Sequence, residues 1–565
     1  MKNKVFQKIL LGIVLTLIIV PNIIIASTEA DFYVDRNYDL KNREKAESVL
    51  IDQSTRAYFY VDSVWWEELD RERKNEVRDQ LEDLGEEFDD KIYPSLTSTY
   101  GSEWKPGIDN DSRITILFHP MIGNAGGYFR PLNEYERIQV PTSNEREMFY
   151  VNSDYLGDQY VRSLLAHELT HLITFNQKEK KHNVSEEVWL NEARAEYAPT
   201  LLGYDEEYNG SNLQRRARIF LENPSNSIIN WGEEEADYGA LNLFTQYLTQ
   251  HYGYEILVDS LQSAETGRIS INKALENNNI KKTFGDIFTD WTIAVYINDC
   301  SVGNKYCYLN NNLSKVKVIS KTNFLPLQGK SSLSSTDQVE NWSAQWVRFI
   351  GGDGDLKLKF VGNEDAEFKI PYVIESRSRE MEVKFLDIDH NQKGVLSINE
   401  FSEKKNSLTL IPSVQINDVE EDSFPIYWEV QTTPNNPEEE RRQELINQII
   451  SLQEQIKKLQ AQIVNQKAQR YGMKVSVFKN PLRYGMLNND KVKELQIFLS
   501  AQGDEIYPSE LVTGNYLTLT HAAVKRFQER YASEILKPFG LSRGTGYFGK
   551  STYQKVNEII KYISS

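Results

Sequence analysis

The chain has 565 residues, of which 40% are hydrophobic and 26% are charged. This ordinary globular composition excludes disorder throughout and collagen-like repeats, and the length predicts roughly three or four domains. The 64 Lys and Arg residues are outnumbered by 82 Asp and Glu residues, which gives a net charge of −18. Because binding to phosphates needs clustered cations, we expect no nucleic-acid partner. The two cysteines are too few for a disulfide-rich scaffold or a cysteine-based zinc cluster.

The N-terminus has the parts of a secretory signal. Lys residues precede the apolar run from Ile9 to Val20, and small residues follow near Ala26 to Ala30. We therefore predict a signal peptide over residues 1–27 and a secreted or cell-wall-associated mature protein. An uncleaved membrane anchor is the alternative, since Ile23–Ile25 lengthens the apolar stretch.

Residues 50–320 mix short strands with amphipathic helices and predict an α+β domain. The predicted strands are Ala57–Val61 and Arg113–Phe118, and the predicted helices are Val161–Phe175, Tyr238–Tyr252 and Phe284–Tyr296. Near the end of this region, Cys300 and Cys307 lie in one polar loop. In an oxidising compartment they can close a local disulfide, and two unrelated thiols are the alternative.

A metal-binding pattern lies on the first of these helices, in His167-Glu168-Leu-Thr-His171. Residues at i and i+4 share one helix face, so both imidazoles can bind one zinc ion while Glu168 reaches the water beside it. Zinc needs a third protein ligand if one position is to stay open for water.

A second predicted helix supplies that third ligand. Glu192 follows the His-Glu-x-x-His pattern within Trp189-Leu-Asn-Glu-Ala-Arg-Ala-Glu196, and Glu196 lies one turn further on the same face. We predict Glu192 as the third zinc ligand. Glu196 would accept a hydrogen bond from a ligating imidazole and fix its tautomer. The alternative is that both are solvated helix carboxylates.

These residues resemble the gluzincin metallopeptidases, with a thermolysin-like arrangement of ligands. The flanking segments resemble hyicolysin-type enzymes and are Ile92–Pro94, Asp109–Leu117, Gly126–Phe129, Asp237–Ala240 and Asp290–Tyr296. The resemblance covers roughly residues 50–320. It implies a zincin fold, Zn²⁺ as cofactor and hydrolysis of a protein or peptide substrate, with Glu168 as the general base that returns its proton to the leaving amine.

Two further features are candidates for substrate contacts. Tyr238 resembles the family's tyrosine-glycine phrase and can donate to the oxyanion, although a buried structural tyrosine is the alternative. His119 and His251 are weaker candidates for that donor. The glycine-rich segment with Gly126, Gly127 and Tyr128 can add a peptide as an extra strand, although a plain turn explains it equally well.

Residues 325–432 alternate apolar and polar positions between turns and predict a β-sandwich. The predicted strands are Trp342–Phe349, Leu356–Phe360, Met381–Leu386 and Leu408–Ile411. Within this region, Asp389 to Glu400 has the spacing of an EF-hand loop, but Lys393 occupies a position where Ca²⁺ needs an oxygen. We therefore favour a β-hairpin there over Ca²⁺. Asp109 and Asp111 could likewise bind Ca²⁺ or form a β-turn, and we favour the β-turn.

A linker at Thr432–Glu439 leads into a heptad pattern, and we predict a helical spacer over residues 437–467. Its seam consists of Leu445, Ile449, Leu452, Ile456, Leu459 and Ile463. This choice of Ile and Leu favours a parallel coiled-coil homodimer, and a single solvated helix is the alternative because the seam spans only about three heptads.

The last region, residues 487–565, resembles the small three-helix peptidoglycan-binding domain. Val492–Leu499 and Thr520–Gln528 carry the Leu-Gln and Ala-Val-x-x-Phe-Gln helices, and Thr513-Gly514 carries the turn between them. Asn515-Tyr-Leu-Thr departs from the family by lacking the usual glycine after the aromatic residue. The resemblance implies peptidoglycan or cell wall as a partner, and a helical domain without glycan affinity is the alternative.

Together these features predict an exported zinc endopeptidase held at the cell wall by its C-terminal module. One alternative is a hydrolase that remodels peptidoglycan stem peptides with the same zinc chemistry. Another is a non-enzymatic surface adhesin, which the complete set of ligands and base disfavours.

Overall fold

The computed structural model describes residues 28–563 apart from Asn124, Glu233 and the segments 417–422, 435–439 and 509–510. It divides into two compact units, Met1–Val316 and Lys317–Ser565, and the protein is multidomain with several sheets and helices. The signal peptide predicted at residues 1–27 and the start of the predicted spacer lie outside the described residues. The finer domain boundaries given above remain predictions.

The first unit is built on a six-stranded mixed sheet with the order β1-β2-β3-β4-β6-β5. Its elements are β1 Glu29–Tyr33, β2 Lys45–Gln53, β3 Ala57–Asp62, α1 Ser63–Glu68, α2 Arg71–Glu87, α3 Tyr93–Tyr100, β4 Ile114–His119, β5 Gly127–Phe129, β6 Met148–Asn152, α4 Tyr160–Phe175, α5 Val188–Leu201, α6 Asn212–Glu222, α7 Glu235–Tyr252, α8 Glu255–Gln262, α9 Gly267–Asn277 and α10 Phe284–Ile297. Strands β3, β4 and β6 are parallel and wholly buried, as expected for strands covered on both faces.

The predicted helices and strands of this unit are confirmed to within a few residues. The sheet also contains β1 and β2, which the sequence did not predict because half of their residues are polar and most are not buried. Strand β5 lies at one end of the sheet and runs antiparallel to β6. Beyond α10, Cys300 and Cys307 are joined by a disulfide.

The second unit begins with two antiparallel-rich sheets and ends in helices. Its elements are β7 Lys321–Leu325, β8 Ser331–Glu340, β9 Val347–Gly351, β10 Asp355–Gly362, β11 Phe368–Lys369, β12 Pro371–Ser376, β13 Met381–Phe385, β14 Lys393–Ile398, α11 Phe401–Lys404, β15 Lys405–Leu410, β16 Ser413–Val414, β17 Ser423–Thr433, α12 Glu440–Arg470, α13 Asp490–Ala501, α14 Thr518–Arg530, α15 Ala532–Ile535 and α16 Lys550–Ile560. The sheets β14-β10-β17-β8 and β13-β12-β15-β9-β7 share one apolar core, in which the rings of Phe349 and Trp428 meet edge to face at 4.9 Å.

Two segments of this region differ in detail from the pattern-based expectation. The strand predicted from Trp342 begins only at Val347, because Trp342 has a positive φ of 55° and its indole N–H donates to the Ile416 oxygen at 3.0 Å. In the loop with EF-hand spacing, Oδ1 of Asp389 accepts the N–H groups of Asn391 and Lys393, each at 2.9 Å. That carboxylate therefore closes a tight turn flanked by a single antiparallel bridge between Ile388 and Gly394. The favoured β-hairpin is limited to this turn, because β13 and β14 belong to different sheets.

Helix α12 presents two different faces along its length. The heptad positions whose side chains are described are about half exposed, namely Ile449, Leu452, Ile456, Leu459 and Ile463. By contrast, Ala461, Val464 and Ala468 are fully buried, and Val464 and Ala468 belong to the core of the C-terminal helices. The end of the predicted spacer is thus part of the C-terminal domain. Within the described part of the chain, no helix has both the length and the apolar character of a membrane span.

The C-terminal helices contain two copies of one hydrogen-bond arrangement around a buried glutamine. Oε1 of Gln496 accepts the backbone N–H groups of Thr513 and Gly514, both at 2.8 Å, while its Nε2 donates to Thr520 at 2.9 Å. Gln528 binds the residues at the same sequence offsets, with Oε1 accepting from Thr545 and Gly546 and Nε2 donating to Thr552. Each glutamine therefore fixes the Thr-Gly turn to the helix before it.

Replacing Gln496 by Leu leaves the turn's two backbone N–H groups without their acceptor. We expect hydrogen exchange of the amides of Thr513 and Gly514 in the full chain to accelerate by about 30–100-fold, since an unsatisfied buried group costs on the order of 2–3 kcal/mol. Exchange measured by mass spectrometry on peptides covering this turn checks the prediction. The control is Gln469→Leu, at an exposed position of α12, which should leave these rates unchanged.

Candidate metal centre

Two neighbouring helices bring together the residues that the sequence predicted as metal ligands. Helix α4 carries His167 and His171, and α5 carries Glu192. The Nε2 atoms of the two histidines are 3.1 Å apart, and the Glu192 carboxylate oxygens lie 3.3 Å and 3.5 Å from them. Within the described part of the chain, these three are the one group of three or more His, Cys, Asp or Glu residues whose ligand atoms all lie within 4.8 Å of one another.

The opposite nitrogen of each imidazole faces a polar partner. Nδ1 of His167 lies 3.5 Å from Oε1 of Glu196, and Nδ1 of His171 lies 3.0 Å from Oδ1 of Asn191. Both partners can accept a hydrogen bond, which favours a proton on each Nδ1 and leaves each Nε2 to face the metal side when a cation is bound. The sequence predicted the role of Glu196 but missed Asn191.

Glu196 is itself held by residues of the next two helices. The Arg216 guanidinium donates to both of its oxygens, at 2.5 Å and 2.8 Å, and Asn212 and Asn242 donate at 3.1 Å and 3.2 Å. Burial raises the pKa of Glu196, but the charge and hydrogen bonds of Arg216 outweigh it and lower the pKa to about 2. Glu196 is therefore a fixed carboxylate at any physiological pH.

The donor set fits a zinc ion. Two imidazole nitrogens and one carboxylate oxygen converge, as in catalytic zinc sites with an open fourth position. Oε2 of Glu192 is buried and has no hydrogen-bond partner among the described residues, as expected for an oxygen reserved for a cation. Burial lowers the pKa of His171, which favours the neutral imidazole that a metal requires. Burial also lowers the pKa of His167, but the hydrogen bond to Glu192 and the neighbouring carboxylates outweigh it and raise that pKa to about 9, so a metal would displace a proton there.

Glu168 lies beside this group with its carboxylate buried. Its Oε2 has no hydrogen-bond partner among the described residues, and burial raises its pKa to about 8. A Cβ atom on Gly127 would lie 2.9 Å from Oε1 of Glu168 and 2.6 Å from the backbone oxygen of Tyr150. Only glycine therefore allows β5 to lie this close to Glu168. A divalent cation at the ligands would lower the pKa of Glu168 by favouring its charged form.

A cleft of about 720 Å³ opens onto these residues. Gly126 and Gly127 line it, as expected for substrate-binding positions. Tyr128 does not fit that expectation, because alternate side chains of a strand point to opposite faces. Its ring is buried and stacks on Tyr150 at 4.3 Å, and its hydroxyl oxygen accepts the Asp35 N–H at 3.0 Å.

Tyr238 lies in the first turn of α7 and lines the same cleft. Its ring lies under the guanidinium of Arg216 at 4.6 Å and against Trp231 at 4.8 Å. Burial, then the charges of Glu192 and Glu196, raise its pKa, so the phenol stays protonated and can donate a hydrogen bond. His251 instead binds the backbone oxygen of Cys307 outside the cleft.

Sequence reasoning missed several cleft residues from the N-terminal segment. Asp35, Asn37 and Tyr38 line the cleft, although they precede the predicted domain start at residue 50. His119 lies close to them but is fully buried, 3.4 Å from Asp39 and 3.3 Å from the Tyr128 hydroxyl. No local pattern marks these positions, because they reach the cleft through long-range strand pairing.

Comparison with known proteins gives one informative match. The chain is 28% identical over 246 residues to the neutral metalloprotease ShpI of Staphylococcus hyicus. The matched region covers 38% of this chain and 53% of that protein. The chain thus spans about half the length of this curated relative. No protein-family model matches the chain.

Solved structures add no argument about the fold. The pre-peptidase C-terminal domain of a Bacillus anthracis collagenase matches with a TM-score of 0.14 at 10% identity, over 20% of this chain and 96% of that domain. A family GH115 4-O-methyl-α-glucuronidase matches with a TM-score of 0.13 at 8% identity, over 58% of this chain and 52% of that one. The sequence match and the His/Glu group together support a metallopeptidase family.

Proposed function

We propose that the chain is an exported zinc endopeptidase of the thermolysin-like, hyicolysin-type group. The observation that carries the proposal is the convergence of His167, His171 and Glu192. The cleft is lined by His167 and by Glu168, whose Oε2 has no hydrogen-bond partner among the described residues. A metal ligand set beside a free carboxylate is the arrangement that hydrolysis of an amide needs. The match to a neutral metalloprotease supports the same conclusion.

The chemistry divides between the metal and the chain. A bound zinc ion supplies Lewis acidity, which acidifies water and polarises a carbonyl group. Glu168 accepts the proton of the attacking water and returns it to the nitrogen of the leaving amine. Because one face of its carboxylate has no protein partner, Glu168 is free to carry out both transfers.

Two elements position the substrate and its developing charge. The Asn152 N–H donates to the Gly126 oxygen, so in this antiparallel ladder the N–H and C=O of Gly127 point away from β6. An extended peptide can pair with them as an added strand. The protonated phenol of Tyr238 donates to the oxyanion from the other wall of the cleft.

The zinc ligands are tested by metal analysis of the purified full chain. Wild type should bind one zinc ion per chain, and His171→Ala should lose most of it, because two ligands hold zinc far less tightly than three. The control is His182→Ala, an exposed histidine on the segment after α4, which should keep the full zinc content. Undiminished zinc in His171→Ala contradicts the assignment.

The role of Glu168 is tested by Glu168→Gln, which keeps the shape but removes the base. We expect kcat/KM on a casein-type substrate to fall by about 10²–10⁴-fold with zinc content and melting temperature retained. Glu222→Gln, an exposed carboxylate at the end of α6, is the matched control. Activity within a few-fold of wild type would mean that the base lies elsewhere.

We further propose that the C-terminal helices hold the enzyme at peptidoglycan. Support comes from their resemblance to the three-helix wall-binding domain and from their own apolar core, which includes residues from Val464 to Ile560. The exposed heptad positions of α12 support a coiled-coil homodimer as the assembly of the wall-bound form. Hydrolysis of peptidoglycan stem peptides is the second candidate activity, because an enzyme held at peptidoglycan would meet those peptides as substrates.

Anchoring is tested by removing the helices. A chain ending at Pro434 should keep activity on a soluble substrate but lose retention on purified cell walls, and residues 440–565 alone should pellet with them. Assaying both forms on casein and on isolated walls separates the two candidate activities. Equal pelleting of the shortened enzyme would show that anchoring resides elsewhere.

A further inference from the structure

A second acidic group lies in the first unit, apart from the residues that line the cleft. Glu134 ends the short helical turn after β5, and Glu147 directly precedes β6. Both side chains are buried, with 1% and 3% of their surface exposed. Buried carboxylates are rare unless they are paired or bind a cation.

These carboxylates lack the partners that burial demands. Among the described residues, no group donates a hydrogen bond to either oxygen of Glu134 or to Oε2 of Glu147, and the two carboxyl groups lie within hydrogen-bonding reach of each other. The remaining oxygen of Glu147 accepts the Ile108 N–H at 2.8 Å. Three buried carboxylate oxygens therefore have no hydrogen-bond donor. Leaving them so costs free energy of folding unless a ligand binds there.

The loop between α3 and β4 closes over the pair. Gly107 has a φ of +90°, and a Cβ atom there would lie 1.7 Å from Oε2 of Glu147. The carboxylate thus lies directly against the backbone of this loop, which only glycine permits. Main-chain carbonyl groups of such a loop are the usual additional ligands of a hard cation.

Lys180 offsets only part of the charge of the group, because its ammonium lowers the pKa of Glu134 by less than burial and the charge of Glu147 raise it. The ammonium of Lys180 donates to the backbone oxygen of Glu134 at 3.0 Å and lies 3.7 Å from the ring centre of Trp104. Asp109 adds a third negative charge nearby. Burial, then the charge of Glu147, raise the pKa of Glu134 well above its usual range, and burial raises the pKa of Glu147 to about 7.

We propose that Glu134 and Glu147 bind a divalent cation of the calcium type. A shared proton is the alternative occupant, but it would engage only two of the three unpartnered oxygens. The group offers oxygen ligands only, which suits Ca²⁺ and disfavours zinc, and Ca²⁺ tolerates the irregular geometry of a loop site. Backbone carbonyls and water complete its six to eight ligands.

Such an ion joins three segments of the chain. It links the loop over Gly107, the turn that ends at Glu134 and the start of β6. That turn directly follows β5, the edge strand beside Glu168, so the ion stabilises one wall of the cleft without taking part in the chemistry. The proposal is independent of the proposed peptidase activity.

The test measures binding rather than turnover, in a zinc-loaded Glu168→Gln background that prevents self-digestion. Terbium, a luminescent substitute for Ca²⁺, should show emission excited through Trp104 that Ca²⁺ displaces. A 100-fold excess of Ca²⁺ over its dissociation constant should raise the melting temperature of the first unit by about 5 °C or more. No displaceable emission and no thermal shift would overturn the proposal in favour of the shared proton.

Variants assign the site. Glu134→Gln and Glu147→Gln should each weaken Ca²⁺ binding by at least about tenfold. The control is Asp389→Asn, in the loop with EF-hand spacing, which should leave the response unchanged; loss of binding in that variant alone would overturn the assignment. If the glutamine variants do not fold, Trp104→Phe decides, because it should reduce the emission while keeping the same affinity. Undiminished emission in Trp104→Phe then overturns the assignment.

Discussion

The buried ion pair between Glu196 and Arg216 is the contact on which the geometry of the metal centre depends. It joins α5 to α6, and Asn242 ties both to α7. Because Arg216 holds Glu196 ionised and in place, Glu196 can hold the Nδ1 proton of His167 and direct the other ring nitrogen toward the ligands. The isolated pair would be a weak source of stability, since desolvating two charges offsets their attraction, but here it fixes orientation.

The sequence predicted the parts of the site that are local. His167, Glu168 and His171 lie within one helical turn of each other, so their relation follows from helix geometry alone. Glu192 and Glu196 were predicted for the same reason on α5, although the approach of α5 to α4 had to be assumed from the family resemblance. The fold class was predictable to the same depth, as a multidomain chain with an α+β first region.

The remaining features are set by contacts between distant residues. Arg216 and Asn212 act on the site only because α6 and α5 both pack against α7, which brings these side chains to Glu196. Nothing in their local sequence marks this role. Tyr128 was placed in the cleft because its glycine neighbours were, but strand alternation turns its ring into the core. Strands β1 and β2 escaped prediction because half of their residues are polar and few are buried.

The hydrogen bonds by which Gln496 and Gln528 each clamp a Thr-Gly turn have a consequence for which residues of the C-terminal helices can change in sequence. Gln496 and Gln528 hold only the Thr-Gly turns and the threonines that follow, and they do so through backbone groups and hydroxyls. The chain between each clamp and its turn contributes little to this bonding. Each half can therefore exchange its intervening surface residues independently while its own glutamine keeps the turn in place.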